Sequence, residues 1–241
     1  MDYSTTKILA ILFDLDGTLR HNDPVAHDFF FDHAAALGVP DALESRRAAM
    51  HWAHRYWNGT GIVVRDAEIH GYDTPAFWLN YARGYLISFG CSAPQADELA
   101  PLVNTHMETQ YRPENRVDPA VPGVLAQLRE MGFTLGIVSN RDANFDGLLA
   151  ELGLAELCDF SLSAGEAASW KPDPGIFRHA LQRAGAAAHE TIYVGDNYFA
   201  DALGARNAGL HPILLDPDRI FPDADCTVIA SLADLPGLLG G

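Results

Sequence analysis

The run Ile8-Leu9-Ala10-Ile11-Leu12-Phe13 is continuous and apolar and stops at an aspartate. That is the pattern of a strand buried on both faces of a parallel sheet, although periodicity alone does not separate it from a buried helical turn. We take it as the first strand. From about Asn22 to Gln110 the chain is rich in Ala, His, Trp and Tyr and is broken by Gly38, the Asn58-Gly59 pair, Gly71 and Gly90, which predicts four or five helices and few strands. Pro113, Pro119 and Pro122 then favour extended chain and mark a boundary. Beyond it the pattern alternates. Helices are expected over 121–131, 143–152, 173–184 and 199–208, closed by Gly132, Gly153, Gly185 and Gly209, with strands over 133–138, 160–162, 191–194 and 212–215. Such alternation predicts βαβ units, right-handed crossovers and an α/β fold, a parallel sheet with helices on both faces.

The chain has 241 residues, enough for one large domain or a domain with an insert, and 48% hydrophobic with 20% charged residues is a globular composition. Thirty-two acids against sixteen bases give a net charge of −16, which repels a nucleic-acid backbone and an anionic membrane alike. Neither is expected as a partner. The same field disfavours a small anionic substrate, so a site for one needs local positive charge from a metal ion or a placed lysine, and the only lysines are Lys7 and Lys171. Cys91, Cys158 and Cys226 are odd in number and widely spaced, which suggests neither a disulfide framework nor a zinc site. The first apolar run is too short for a signal-peptide core or a membrane span, so a cytoplasmic location is the expectation.

In open parallel sheets the chemistry collects beyond the carboxyl ends of the strands. The first strand runs into Asp14-Leu15-Asp16-Gly17-Thr18, the second into Ser139-Asn140, the third leads to Lys171-Pro172-Asp173-Pro174, and the fourth runs into Gly195-Asp196-Asn197, with Asp201 beyond. In extended chain Asp14 and Asp16 fall on one face and present two carboxylates to one site. Like charges that close suit one ionised nucleophile or metal ligand and one proton carrier. Read alone, the pair fits a solvated turn equally well. Ser139 and Asn140 also fit a helix cap, Lys171 a surface ammonium, and Asp196 either a cap or an oxygen ligand for Mg²⁺.

Taken together and in this order, the four segments resemble the haloacid dehalogenase (HAD) superfamily. The insert and the run 200–210 are similar to its phosphoglycolate-phosphatase-like branch. The resemblance implies a Rossmann-like catalytic core over 1–20 and 117–241 and a helical cap domain over 21–116, acting as a lid. It implies a Mg²⁺-dependent phosphatase for a small phosphorylated metabolite that works through an aspartyl-phosphate. Asp14 would be nucleophile and metal ligand, and Asp16 would be the acid and then the base, with its carbonyl on the metal. Ser139, Asn140 and Lys171 would hold the phosphoryl group, Asp196 the metal, and Asp201 would support the site from behind. A phosphomutase acting on a sugar phosphate shares all four segments and is the alternative, as is a nucleotide monophosphatase. A dehalogenase is disfavoured because such members resemble Asp-x-Tyr-Gly-Thr at the first segment. In the insert, His51, Trp52, His54, Arg55, Tyr56 and Trp57 form the densest recognition-type cluster. His51, Arg55 and Trp57 are candidates for substrate recognition, with packing inside the insert as the plainer alternative.

Overall fold

In a computed structural model that describes residues 7–58 and 61–240, the first apolar run becomes β1 (Ala10–Phe13), buried along its whole length. Gly59 of the expected Asn58-Gly59 break lies outside the described residues. The chain divides into two units. One comprises Met1–His21 and Asn115–Gly241, the other Asn22–Glu114. Short β2 (His21–Asp23) leads out of the first unit and β3 (Glu114–Arg116) leads back.

The second unit is helical among its described residues, with α1 (Ala26–Ala36), α2 (Leu43–Tyr56), α3 (Ile62–His70), α4 (Pro75–Phe89) and α5 (Ala93–Gln110). Two of these start where the side chains dictate. Thr74 accepts from the Phe77 amide at 3.2 Å and Ser92 from the Gln95 amide at 3.4 Å, each with a proline in the first turn. Arg46 of α2 ties the unit together by donating to Asp41 at 2.6 Å, Asp28 at 3.0 Å and Asp32 at 2.8 Å. Its three partners are separated in sequence, so one guanidinium joins α2 to α1 and to the loop between them.

The first unit continues with α6 (Val121–Glu130), β4 (Thr134–Ser139), α7 (Asp146–Glu151), β5 (Phe160–Ser163), α8 (Ala164–Ala167), α9 (Pro174–Ala184), β6 (Thr191–Gly195), α10 (Leu203–Asn207), β7 (His211–Leu215), β8 (Thr227–Ile229) and α11 (Leu235–Leu239). Six strands form one parallel sheet in the order β5-β4-β1-β6-β7-β8. The α/β architecture with a Rossmann-like parallel sheet follows the sequence expectation. Alternation along β1 sends Ile11 and Phe13 into a core with Leu125 and Leu128 of α6, and Leu12 into another with Ile176 and Phe177 of α9. Full burial of each such side chain stabilises the fold by about 1.5–3 kcal/mol.

Register then aims the loops. Phe13 lies opposite Ile137 of β4 and Val194 of β6, so the segments after all three central strands emerge at the same edge.

Three details differ from the sequence expectation. The helix expected over 143–152 starts only at Asp146, because Asn144 Oδ1 accepts from the Asp146 amide at 3.0 Å and closes a local turn instead. The helix expected over 199–208 is two pieces, a wide π-type turn at Tyr198–Ala202 and then α10. The sixth strand, β8, has three residues and falls below the length at which an alternating pattern is legible.

Candidate active site

Asp14 follows β1 and its amide donates to the Val194 carbonyl at 2.8 Å, which carries the sheet ladder one residue past the strand. Its carboxylate is buried and Oδ1 accepts from Lys171 Nζ at 2.6 Å. The same ammonium donates to Asp201 Oδ1 at 2.7 Å and to the Tyr193 hydroxyl at 2.9 Å. Tyr193 in turn donates to the Val138 carbonyl at 2.9 Å, so its oxygen is held facing Lys171. All three protons of the ammonium are thereby used, in a place where Lys171 is only 2% exposed.

Asn140 holds Lys171 from behind. Its Oδ1 accepts from the Lys171 amide at 2.6 Å and its Nδ2 donates to the Lys171 carbonyl at 3.0 Å, a two-point bracket joining the loop after β4 to the loop before α9. Ser139, the last residue of β4, is buried at the same sheet edge.

Asp196 follows β6 and accepts from Thr18 Oγ1 at 3.2 Å. Asp201 sits on the π-type turn, and its Oδ2 accepts from the Asn197 amide at 2.9 Å. Carboxylate oxygens of Asp14, Asp196 and Asp201 lie within 4.8 Å of one another. Two glycines make this crowding possible. A Cβ on Gly17, whose φ is +92°, would run into the Asp196 carboxylate, and one on Gly195 would run into the Asp201 carboxylate.

Three carboxylates, Asp14 and Asp201 buried and Asp196 half-buried, crowd beside one ammonium, and the electrostatics follow from that count. Burial pushes the Asp14 carboxyl up to about 7, with Lys171 pulling it down and Asp201 pushing it further up. Asp196 is likewise pushed up to about 7, by burial and then by the charge on Asp14. Burial also raises Asp201, against the pull of Lys171. Burial works against the Lys171 ammonium too, yet Asp14 and Asp201 outweigh it and hold the lysine well above its ordinary range. The group is an oxygen-donor set with surplus negative charge, which fits a hard divalent cation such as Mg²⁺.

Asp16 stands apart from this group. Arg141 grips it with both arms, Nε on Oδ2 and Nη2 on Oδ1, each at 2.8 Å, and Arg20 Nη1 adds a third bond at 3.0 Å. Arg20 is itself positioned by Asn115 Oδ1 at 2.7 Å. Of the sequence candidates, then, Asp14, Lys171, Asp196 and Asp201 meet in one group, Asn140 braces it, and Asp16 is clamped beside it by guanidinium groups. Sequence reasoning missed Arg20, Arg141, Thr18 and Tyr193. The only available signal was the adjacency of Arg141 to Ser139-Asn140 and of Thr18 and Arg20 to the first acidic segment.

In the helical unit, Trp57 lines a cavity together with Met50, Ala53 and His54, the side of α2 repeating every three or four residues. His51 and Arg55 are exposed and do not line that cavity. Among the described residues, no helix is long and apolar enough to cross a membrane.

A sequence profile of the haloacid dehalogenase-like hydrolases matches residues 8–209. Haloacid dehalogenase-like hydrolase domain-containing protein 3 from Homo sapiens is 35% identical over 225 residues, covering 90% of this chain and 85% of that protein. Phosphoserine phosphatase from Thermus thermophilus is 30% identical, covering 93% of this chain and 95% of its own. Among solved structures, 2-haloacid dehalogenase from Pseudomonas syringae superposes with a TM-score of 0.54 at 27% identity, covering 97% of this chain and 98% of that one.

Proposed function

Because this chain belongs to the haloacid dehalogenase-like hydrolases, as a phosphoric monoester hydrolase among them, we propose that it cleaves small phosphorylated metabolites through an aspartyl-phosphate at Asp14, with Mg²⁺ as cofactor. The observation that carries this reading is the Lys171 ammonium locked 2.6 Å from a buried Asp14 carboxylate, with Asp196 and Asp201 completing an oxygen cluster.

A carboxylate cannot approach a phosphate dianion against uncompensated repulsion. Lys171 supplies one fixed positive charge at the attacking oxygen. Asp14, Asp196 and the Asp16 carbonyl would hold Mg²⁺, which would supply further positive charge toward the phosphoryl oxygens. Asp14 attacks phosphorus and its oxygen forms the new P–O bond as the ester P–O bond breaks. In its protonated form Asp16 gives its proton to the departing alkoxide. Ser139 holds a non-bridging oxygen, and the Lys171 charge beside Asp14 offsets the negative charge that shifts onto these oxygens. In the second step Asp16 takes a proton from water, whose oxygen attacks phosphorus and releases inorganic phosphate and free Asp14. Arg141 and Arg20 aim the Asp16 carboxylate, and Asp201 fixes Lys171. We further propose that the helical unit sets which esters are accepted, with His51, Arg55 and Trp57 as its candidate contacts.

The paired carboxylates favour ester hydrolysis over dehalogenation, since carbon–halogen cleavage needs no protonated leaving group and has no task for Asp16. The test is a panel of phosphorylated metabolites with purified protein, with and without Mg²⁺, and acid-quench trapping of radiolabel on Asp14. Phosphate release that needs Mg²⁺ and disappears in Asp14→Asn is the expected result. Full activity after exhaustive chelation would overturn the metal assignment, and isomerised sugar phosphate without net phosphate release would overturn hydrolysis in favour of a phosphomutase.

A further inference from the structure

The helical unit contains a cavity of about 690 Å³ among α1, α2, α4 and α5. That lies within the range of about 300–1,000 Å³ typical of small-molecule sites. Its walls are unusually aromatic, with Phe30, Trp57, Trp78, Tyr81, Tyr85 and Tyr111 all contributing. The rings do not stack flat. Trp57 and Trp78 are tilted by 41°, Trp57 and Tyr81 by 50°, and Trp78 and Tyr81 stand edge to face at 86°. The planes of these three rings in the lining therefore differ from one to the next.

The charge of the lining is one-sided. Asp73 and Glu108 contribute carboxylates, and neither lysine nor arginine lines the cavity. Asp73 is fixed where it is needed, since its Oδ1 accepts from the Trp78 indole at 2.7 Å and so ties a carboxylate to the wall of a ring. Apart from the hydroxyl and indole groups of the aromatic residues, the remaining polar lining is amide and imidazole, from Asn22, Asn104, His27 and His54. Across residues 22–114 there are twelve carboxylates, six guanidinium groups and no ammonium side chain, so the surrounding field has the same sign.

We infer that this cavity binds an organic cation, an amine or quaternary ammonium carrying an apolar or aromatic body. Aromatic rings attract positive charge through the quadrupoles on their faces, the two carboxylates add to that attraction, and no lysine or arginine in the lining offers an anionic group a counter-charge, Arg112 nearby being engaged by the Glu108 and Tyr111 carbonyls. A polyol is a poorer occupant, because hydroxyls set against ring faces lose their partners in water. A bare metal ion is disfavoured because, among the described residues, the group of three converging metal-ligating side chains is Asp14, Asp196 and Asp201, not this lining. The inference concerns the helical unit alone and does not depend on the phosphatase reading.

The test uses the full chain at pH 8, above the ordinary imidazole range of about 6.5. It titrates three probes of one shape, benzyltrimethylammonium, benzyl alcohol and benzoate, by calorimetry and by tryptophan fluorescence. Saturable binding of the ammonium at least about tenfold tighter than the alcohol is expected, with no binding of benzoate. Trp78→Ala and the solvent-exposed Glu108→Gln should each weaken the ammonium about threefold to tenfold, and Glu108→Gln should leave the alcohol unchanged. Asp14→Asn should leave all three titrations unaltered, so failure of catalysis and failure of this site are read separately. Benzoate binding as tightly as the ammonium, equal affinity for all three probes, no saturable binding, or indifference to Trp78→Ala would each overturn the inference.

Discussion

Replacing Lys171 by methionine keeps most of the apolar stem of the side chain and removes its charge. The change leaves Asp14, Asp201 and Asp196 crowded together with no cation among them. Lys171 is 2% exposed and donates to Asp14 at 2.6 Å and Asp201 at 2.7 Å. Breaking a buried pair of this kind by removing one partner costs about 3–5 kcal/mol. For a chain of this length about 2–4 °C of melting temperature accompanies each kcal/mol, so a fall of about 6–20 °C is expected. The loss must also depend on pH. Asp14 and Asp196 titrate at about 7 in the fold against an ordinary 3.8, so the folded state holds protons that the unfolded state has shed. Stability from that source is present at low pH and is lost as pH rises through about 7. Without the ammonium the carboxyls are pushed higher still. Lys171→Met should therefore be much closer to wild type at pH 5.5 than at pH 8 when both are kept in EDTA, and adding Mg²⁺ at pH 8 should restore part of the difference. Urea unfolding followed by far-UV circular dichroism at both pH values measures this. A loss below about 1 kcal/mol at pH 8, or one equal at both pH values, would refute the charge argument.

Three further expectations follow from the site. Asp16→Asn should slow phosphoenzyme formation about 10²-fold to 10⁴-fold more with an alkyl phosphate than with nitrophenyl phosphate, whose leaving group needs little protonation. Equal losses in rapid-quench experiments would show that Asp16 is not the acid. Arg141→Ala removes the two 2.8 Å bonds that aim Asp16 and should lower kcat about tenfold with KM little altered; steady-state kinetics with an unchanged kcat would leave the clamp without a catalytic purpose. Gly17→Ala drives a methyl into the Asp196 carboxylate at a φ of +92°, and about 1–3 kcal/mol of destabilisation with loss of Mg²⁺ binding in calorimetry is expected. Wild-type affinity would contradict the role given to Asp196.

Much of this centre was legible in the sequence because each part interrupts a pattern. Asp14 ends an unbroken apolar strand, Asp196 ends another, and Lys171 is one of only two lysines. Tyr193 was hidden for the opposite reason. It sits mid-strand among Ile192 and Val194, where an aromatic residue reads as core, and only the folded sheet brings its hydroxyl to Lys171. Arg141 and Arg20 were hidden because the grip on Asp16 joins residues 125 positions apart in one case and depends on a tight turn in the other. In the helical unit the composition announced aromatic helices, but the cavity exists only where four of them meet, and no spacing within one helix encodes it.

The central position of β1 also bears on how the chain is made. β1 ends at Phe13, while its neighbours β4 and β6 end at Ser139 and Gly195. At a synthesis rate of about 5–20 residues per second, the first strand leaves the ribosome about 10–35 seconds before the second of its partners exists. During that interval a bare run of apolar residues has no sheet to join, while the helical insert, emerging next and rich in local contacts, can already collapse on itself. Shielding of the nascent strand by a chaperone, or by the insert folding directly behind it, becomes a condition of yield. Rare codons placed after the insert would lengthen the exposure and lower the soluble fraction without altering a single residue of the protein.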